Sequence, residues 1–248
     1  SSAASDVYKR QIIGSIVALV FLAVAGNEKR AAAGLTRQNW KSAVLIVLAF
    51  VGIYIVRTVV SVAVQGVSDG SGMQYVKEWA AMFKNPMMWL NIAALPINYF
   101  FVFIAFFGEE YGWRYYLQPV LQKRFGLRAG VIILGVVWGL WHIPDDLFYY
   151  TQTSGIQMIF AQQITCISLG IFFAYAYMKT QNIWVPVCLH YLNNNLIPII
   201  SGTFSADVLE NQTVSWKDLP VALVLNGLCF GFFLLADVFK KKEVQEEE

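Results

Sequence analysis

Ser42–Val64 reads SAVLIVLAFVGIYIVRTVVSVAV, with Arg57 its only charge. Crossing the hydrocarbon core of a bilayer takes about 20 apolar residues of helix, and this stretch supplies them. It is continuously apolar, with no alternation of period two, so it predicts a helix and not a strand of a membrane barrel. Outward from it the same signature recurs at Trp89–Phe107, Ile156–Met178 and Leu219–Phe239. Ala129–Ile143 and Trp184–Ile200 are shorter and can span if their polar ends are buried in a bundle. Gln11–Ala25 is a partial block. The pattern predicts an all-α fold, a polytopic membrane helix bundle with about seven transmembrane helices.

Composition leads the same way. Of 248 residues 57% are hydrophobic and 14% charged, against roughly a quarter charged in an ordinary soluble domain. No internal repeat, linker or second soluble domain is visible. The chain is therefore read as a single membrane-embedded domain over 12–248, with its polar signals concentrated in a core at 89–200. Residues 1–11 are set aside, because Asp6–Gln11 (DVYKRQ) resembles a translated transposon end from library preparation and reads as non-native. The longest polar connections, Gln65–Met88 and Ser201–Pro220, are expected to hold short surface helices.

Positive charge sets the orientation. Lys29, Arg30, Arg37 and Lys41 follow the first block, Arg114, Lys123, Arg124 and Arg128 the third, Lys179 the fifth, and Lys240, Lys241 and Lys242 the last. These are alternate connections and so share one side, which the positive-inside rule makes cytoplasmic. The opposite connections hold Lys77, Lys84 and Lys217 beside Asp69, Asp145, Asp146 and Asp207. A net charge of +2 argues against a nucleic-acid partner. Cys166, Cys188 and Cys229 are widely spaced within apolar blocks, which makes a disulfide framework or cysteine zinc site an improbable reading.

Ionisable groups inside spanning segments are costly and mark function. Glu109 and Glu110 follow directly on an apolar run, with Arg114 shortly after. The protein's 2 histidines, His142 and His190, both lie in spanning blocks, and Asn194 is one helical turn beyond His190, on the same face. If the helix carrying Glu109 turns back near Leu121–Leu127, Glu109 and His142 lie roughly 18 and 22 Å from that turn. His190 and Asn194 lie roughly 10 to 17 Å from the start of their own helix, counted from Asn182. Three helices thus aim scarce polar groups at one layer of the membrane.

Glu109-Glu110-Tyr111-Gly112-Trp113-Arg114 resembles the E-E-x-x-x-R motif of the CPBP family of intramembrane proteases, which includes the type II CAAX prenyl endopeptidases and bacteriocin-processing members. Trp138–His142 is similar to that family's F-x-x-x-H, with tryptophan in place of phenylalanine. His190–Asn194 is similar to its H-x-x-x-N and follows Trp184-Val185-Pro186, a W-x-P. Order and spacing agree from Phe101 to Asn195.

Peptide hydrolysis in a dry cavity needs a base for water and donors for the oxyanion. Consecutive helical residues point about 100° apart, so one of the two glutamates faces the site squarely. The resemblance implies that this is Glu109, as water-activating base, with Glu110 as partner to Arg114 or a backbone donor. His142 would orient the water or shuttle its proton, and His190 and Asn194 would donate to the tetrahedral oxygen. A zinc reading uses Glu109, His142 and His190 as ligands with an open water position, yet no H-E-x-x-H pair is present. The expectation leans to no metal, with zinc as the alternative.

The implied substrate is a membrane-associated peptide or protein, and the implied location is a bacterial inner or plasma membrane. Two other readings fit the same residues. One is a non-catalytic scaffold or bacteriocin-immunity protein. The other is a proton-coupled transporter, against which the two halves show no paired hydropathy symmetry. Taken singly, Glu109, Glu110 and Arg114 read equally as an interfacial cluster, His142 beside Pro144 as a helix cap, and His190 as a satisfied core histidine. Asn193 and Asn195 read as fillers, and Arg57 as either a snorkelling cation or a buried counter-ion.

Overall fold

In the computed structural model, residues 26–68, 74–202 and 210–240 are described, with isolated positions 20, 24, 70 and 208. The Gln11–Ala25 block and residues 1–11 lie almost wholly outside this set. Among the described residues there are helices and turns and no strand. In chain order the helices are α1 Asn27–Ala32, α2 Trp40–Ser68, α3 Gln74–Met82, α4 Pro86–Glu110, α5 Gln118–Phe125, α6 Leu127–Trp141, α7 Ile143–Phe148, α8 Gly155–Thr180, α9 Trp184–Ser201 and α10 Asp218–Cys229. A π-helical stretch, Tyr111–Leu117, joins α4 to α5 without a break.

Four runs are long and apolar enough to cross a membrane: Trp40–Val64, Pro86–Phe125, Leu127–Phe148 and Gly155–Thr180. The molecule is a polytopic helical bundle, and its outer surface behaves as that requires. Leu45, Leu48 and Val56 of α2, and Ile97, Phe100 and Phe101 of α4, are all exposed, the last two by 72% and 71%. Water would penalise such a surface, whereas lipid tails solvate it.

Helix ends are made locally. The Asn85 side chain accepts from Met87 N at 3.0 Å with Pro86 at the first helical position, which starts α4. Gly126, at φ 88°, makes the hairpin between α5 and α6 in a conformation that other residues adopt only with strain. The Leu219–Phe239 block differs from the single helix expected of it. It is α-helical to Cys229, and two short 3-10 turns, Gly231–Leu235 and Asp237–Phe239, follow. Phe230, wholly buried against Tyr54 and Phe172, pins the chain where the helix stops.

The interior is built on α8, which packs against α2, α6, α9 and α10, while α9 lies along α4. Phe50 and Tyr54 of α2, Trp138 of α6, Phe172 and Phe173 of α8, Leu189 of α9 and Phe230 share one core. Contact between α6 and α8 is close because glycines face it. A Cβ on Gly135 would lie 2.6 Å from Ile167 Cα, and one on Gly139 would lie 2.6 Å from the Gln163 amide.

The cation-rich connections meet at one end of the bundle. Thr36 and Asn39, flanking Arg37, bond to Gln181 O and Thr180 O, and Asn182 bonds to Gln38 O. Arg128 Nε donates to Leu234 O, and Phe239 and Lys240 line a groove with residues Phe125–Ala129. The other end is tied by Gln212 N to Tyr150 O, Val214 N to Ser154 Oγ, and Trp79 Nε1 to Ile200 O. The expected clustering of charge on one side therefore has a physical counterpart.

Candidate active site

Glu109 and Glu110 are the last residues of α4, where the backbone passes into the π-helical stretch that carries Arg114. Such stretches are uncommon and often mark functional positions. The two glutamates divide, as neighbours on a helix must: Glu110 and Arg114 are both fully buried, and Glu109 is half-buried.

Arg114 Nε donates to Glu110 Oε2 at 2.8 Å, and Nη1 reaches Gly170 O at 3.3 Å. Its guanidinium lies over the rings of Trp138 and Phe173, 5.3 and 5.4 Å from their centroids. A planar cation with one edge on a carboxylate and its faces on aromatic rings is a stable way to hold charge away from water. Gly170 also abuts Gly135, whose Cα would be 3.5 Å from a Cβ placed there. The close approach of α6 and α8 thus sets the wall that Arg114 meets.

The other oxygen of Glu110 is taken as well. His190 Nδ1 donates to Glu110 Oε1 at 2.9 Å, and the imidazole sits against Phe106, Trp138 and Phe173. Because a carboxylate only accepts, Nδ1 carries hydrogen and Nε2 is the atom left for a ligand. The expectation paired Glu110 with Arg114 or a backbone donor. The structure adds His190, which ties the first motif to the third.

His142 ends α6, its Nδ1 donating to Trp138 O at 2.9 Å, so in the neutral ring Nε2 is an acceptor. Cys166 Sγ stands 3.9 Å from that Nδ1. Glu109 is within electrostatic range of both His190 and Cys166, and Cys166 is the residue that neighbours His142. Asn194 lies one turn beyond His190 on α9 and is exposed, its Oδ1 accepting from Asn193 Nδ2 at 2.8 Å. The site therefore runs from a buried ionic floor, Glu110–Arg114–His190, to an open flank at Asn194.

Several residues were not singled out from the sequence. Asp146, counted there among outward loop acids, is fully buried; neither of its carboxylate oxygens has a hydrogen-bond partner, and it lies within electrostatic range of Cys166. It is four residues past His142 with Pro144 between, so α7 carries it back over α8; the i, i+4 spacing was the available signal. Asn193 and Asn195 are not fillers. Asn193 accepts from the Tyr54 hydroxyl, while Asn195 donates to Tyr191 O and accepts from Asn98. Arg57 donates to Asn226 Oδ1 at 2.9 Å, so its partner is a neutral buried amide. Among the described residues, no three His, Cys, Asp or Glu side chains are grouped to hold a metal.

Comparison with a family model falls on the same stretch. Residues 90–196 match the family model described as type II CAAX prenyl endopeptidase Rce1-like. A curated protein named CAAX prenyl protease 2, from Methanococcus maripaludis, is 27% identical over 125 residues. That alignment covers 47% of this chain and 45% of the archaeal protein, so the chain spans about half the length of the relative it matches. No solved structure matches. All three motifs fall inside residues 90–196, so the similarity to the type II CAAX prenyl endopeptidase Rce1-like family rests on the residues that build this site.

Proposed function

We propose that the protein is an intramembrane endopeptidase that hydrolyses a peptide bond of a membrane-associated peptide or protein, with Glu109 as the base that activates water. The observation that carries this reading is the division of labour between the two glutamates. Both oxygens of Glu110 are committed, one to Arg114 and one to His190. Glu109 is the half-buried member of the pair, within electrostatic range of the same histidine.

The chemistry follows from that division. Water attacks the scissile carbonyl carbon as Glu109 removes its proton, and His142 Nε2 accepts from the same water to orient it. The carbonyl electrons move onto oxygen. His190 Nε2–H, in the ring's doubly protonated form held against the Glu110 carboxylate, and Asn194 Nδ2–H donate to that oxyanion. Collapse breaks the C–N bond, and the proton on Glu109 passes to the departing amine. The buried floor holds the imidazole of His190 in place throughout. No step requires a metal.

The name of the archaeal relative points toward prenylated substrates for that protein. Here the substrate class is proposed only as membrane-associated peptide or protein, because no described site residue is specific to a prenyl group. The location that suits the structure is a cell membrane, bacterial inner or plasma, with the basic end of the bundle facing the cytoplasm.

The test is hydrolysis of a lipid-embedded peptide library by purified protein, with and without excess chelator. Glutamine cannot take a proton from water, so Glu109→Gln is expected to abolish cleavage while the protein stays folded. Full activity in that variant rejects the assigned base. Wild-type activity lost only on chelation would replace this mechanism with a zinc-dependent one. Binding without cleavage by the wild-type protein would favour a scaffold.

A further inference from the structure

An oxyanion donor must present nitrogen, and an asparagine amide is ambiguous on that point. Rotation about χ2 exchanges its donor and acceptor ends, and that torsion is broad. Asn194 is exposed, so burial does not choose the end for it. Its neighbours do. Asn193 Nδ2 donates to Asn194 Oδ1 at 2.8 Å, which occupies the acceptor end and turns Asn194 Nδ2 away from Asn193.

Asn193 is itself fixed, because its Oδ1 accepts a short hydrogen bond from the Tyr54 hydroxyl across a sequence separation of 139 residues. Tyr54 belongs to α2, is 4% exposed, and packs against Phe50 and Phe230 at centroid distances of 4.9 and 5.0 Å. The Arg57 guanidinium lies 5.7 Å from its ring centroid and is held by Asn226. Hydrogen bonds in series polarise one another in a low-dielectric interior, so the phenol, Asn193 and Asn194 act as one directed chain. The three consecutive asparagines are thereby distinct. Asn193 is tied to α2, Asn195 to α4 through Asn98, and Asn194 alone presents its amide nitrogen.

We propose that Tyr54 and Asn193 are positioning residues that hold the Asn194 amide with its nitrogen toward the reacting carbonyl oxygen. The inference rests on the endopeptidase reading above. It assigns a role in turnover to α2, which lies outside the three motifs and outside residues 90–196, which the family model matches.

The experiment uses the full chain in lipid nanodiscs and a fluorogenic lipid-anchored peptide that the wild-type protein cleaves. kcat and KM are measured for Tyr54→Phe, Asn193→Asp, Asn194→Ala and the pairwise combinations with Asn194→Ala. Losing a donor in Asn194→Ala is expected to cost about 10² to 10³ in kcat. Tyr54→Phe, which keeps the ring and removes the hydroxyl, should cost roughly tenfold in kcat with KM unchanged, and nothing further on the Asn194→Ala background. Asn193→Asp cannot donate, so the Asn194 nitrogen turns toward it and kcat should fall to the Asn194→Ala level.

Wild-type turnover in Tyr54→Phe, or the same fold-loss on both backgrounds, would overturn the inference. If Tyr54→Phe does not fold, Asn193→Asp with its double variant decides by the same criterion. Slow Asn194→Ala with fast Tyr54→Phe removes this inference alone. An Asn194→Ala variant as fast as wild type removes the oxyanion assignment as well.

Discussion

Two ion pairs of nearly equal length sit in opposite surroundings. Arg114 meets Glu110 at 2.8 Å with both side chains fully buried, and Lys240 meets Asp237 at 2.7 Å with 61% and 91% of those side chains exposed. Length therefore says nothing about worth. At the surface, water already stabilises each charge, and ordering two flexible side chains cancels most of the gain. In the bundle interior neither charge has water to return to, so each partner becomes a condition for the other. The buried pair also recruits His190, Gly170 O and two aromatic rings, which makes it the joint between four helices.

Breaking that joint should have the largest effect. Arg114→Met leaves the Glu110 carboxylate buried without its guanidinium and should destabilise the protein by about 3–5 kcal/mol, read as a fall in melting temperature in detergent. Removing both charges with Glu110→Gln/Arg114→Met should recover part of that loss, while activity stays low because a neutral amide no longer holds the doubly protonated ring of His190. A double variant no more stable than Arg114→Met would show that the pair does not behave as a coupled unit.

A steric challenge to the same wall comes next. In Gly135→Ala the new Cβ meets backbone of α8, whereas in Gly139→Ala it meets the movable Gln163 side chain. The first should cost about 1–3 kcal/mol and the second less. Equal costs would mean that α6 and α8 can separate freely. Smallest of all, Asp237→Asn removes the surface pair and should leave both melting temperature and hydrolysis unchanged; a clear loss of either would overturn the contrast drawn between the two pairs.

Much of this was legible in the sequence because the bilayer imposes simple rules. Apolar blocks gave the bundle, and charge placement matched the end where Arg37, Lys179, Arg128 and Lys240 gather. Scarcity made the site residues conspicuous, since Glu109, Glu110, His142 and His190 stand out against apolar surroundings. What remained hidden was pairing and direction. Nothing in the spacing says that the second oxygen of Glu110 takes His190, because that bond depends on how α9 lies against α4. Asp146 reads as a loop acid until α7 is seen to fold over α8. Tyr54 and Phe230 read as ordinary apolar-block residues, yet one positions an amide and the other ends a helix. Such features arise from tertiary packing, which composition and periodicity do not encode.

The π-helical stretch Tyr111–Leu117 has a further consequence, for the reading frame of the helix itself. A wider turn holds one more residue than an α-turn, so α5 leaves it rotated relative to the phase α4 would have dictated. Gln122 of α5 depends on that phase, since its amide meets Leu127 O and its backbone lies where a Cβ on Gly130 would fall. Closing the stretch into regular α-helix with all its residues kept would turn every later side chain by about 100°. Arg114 and Gln122 would then answer to different faces of the rod. In this chain the Glu109–Arg114 stretch and the hairpin beyond it are synchronised by that wider turn, in the way a leap day keeps a calendar aligned with its year.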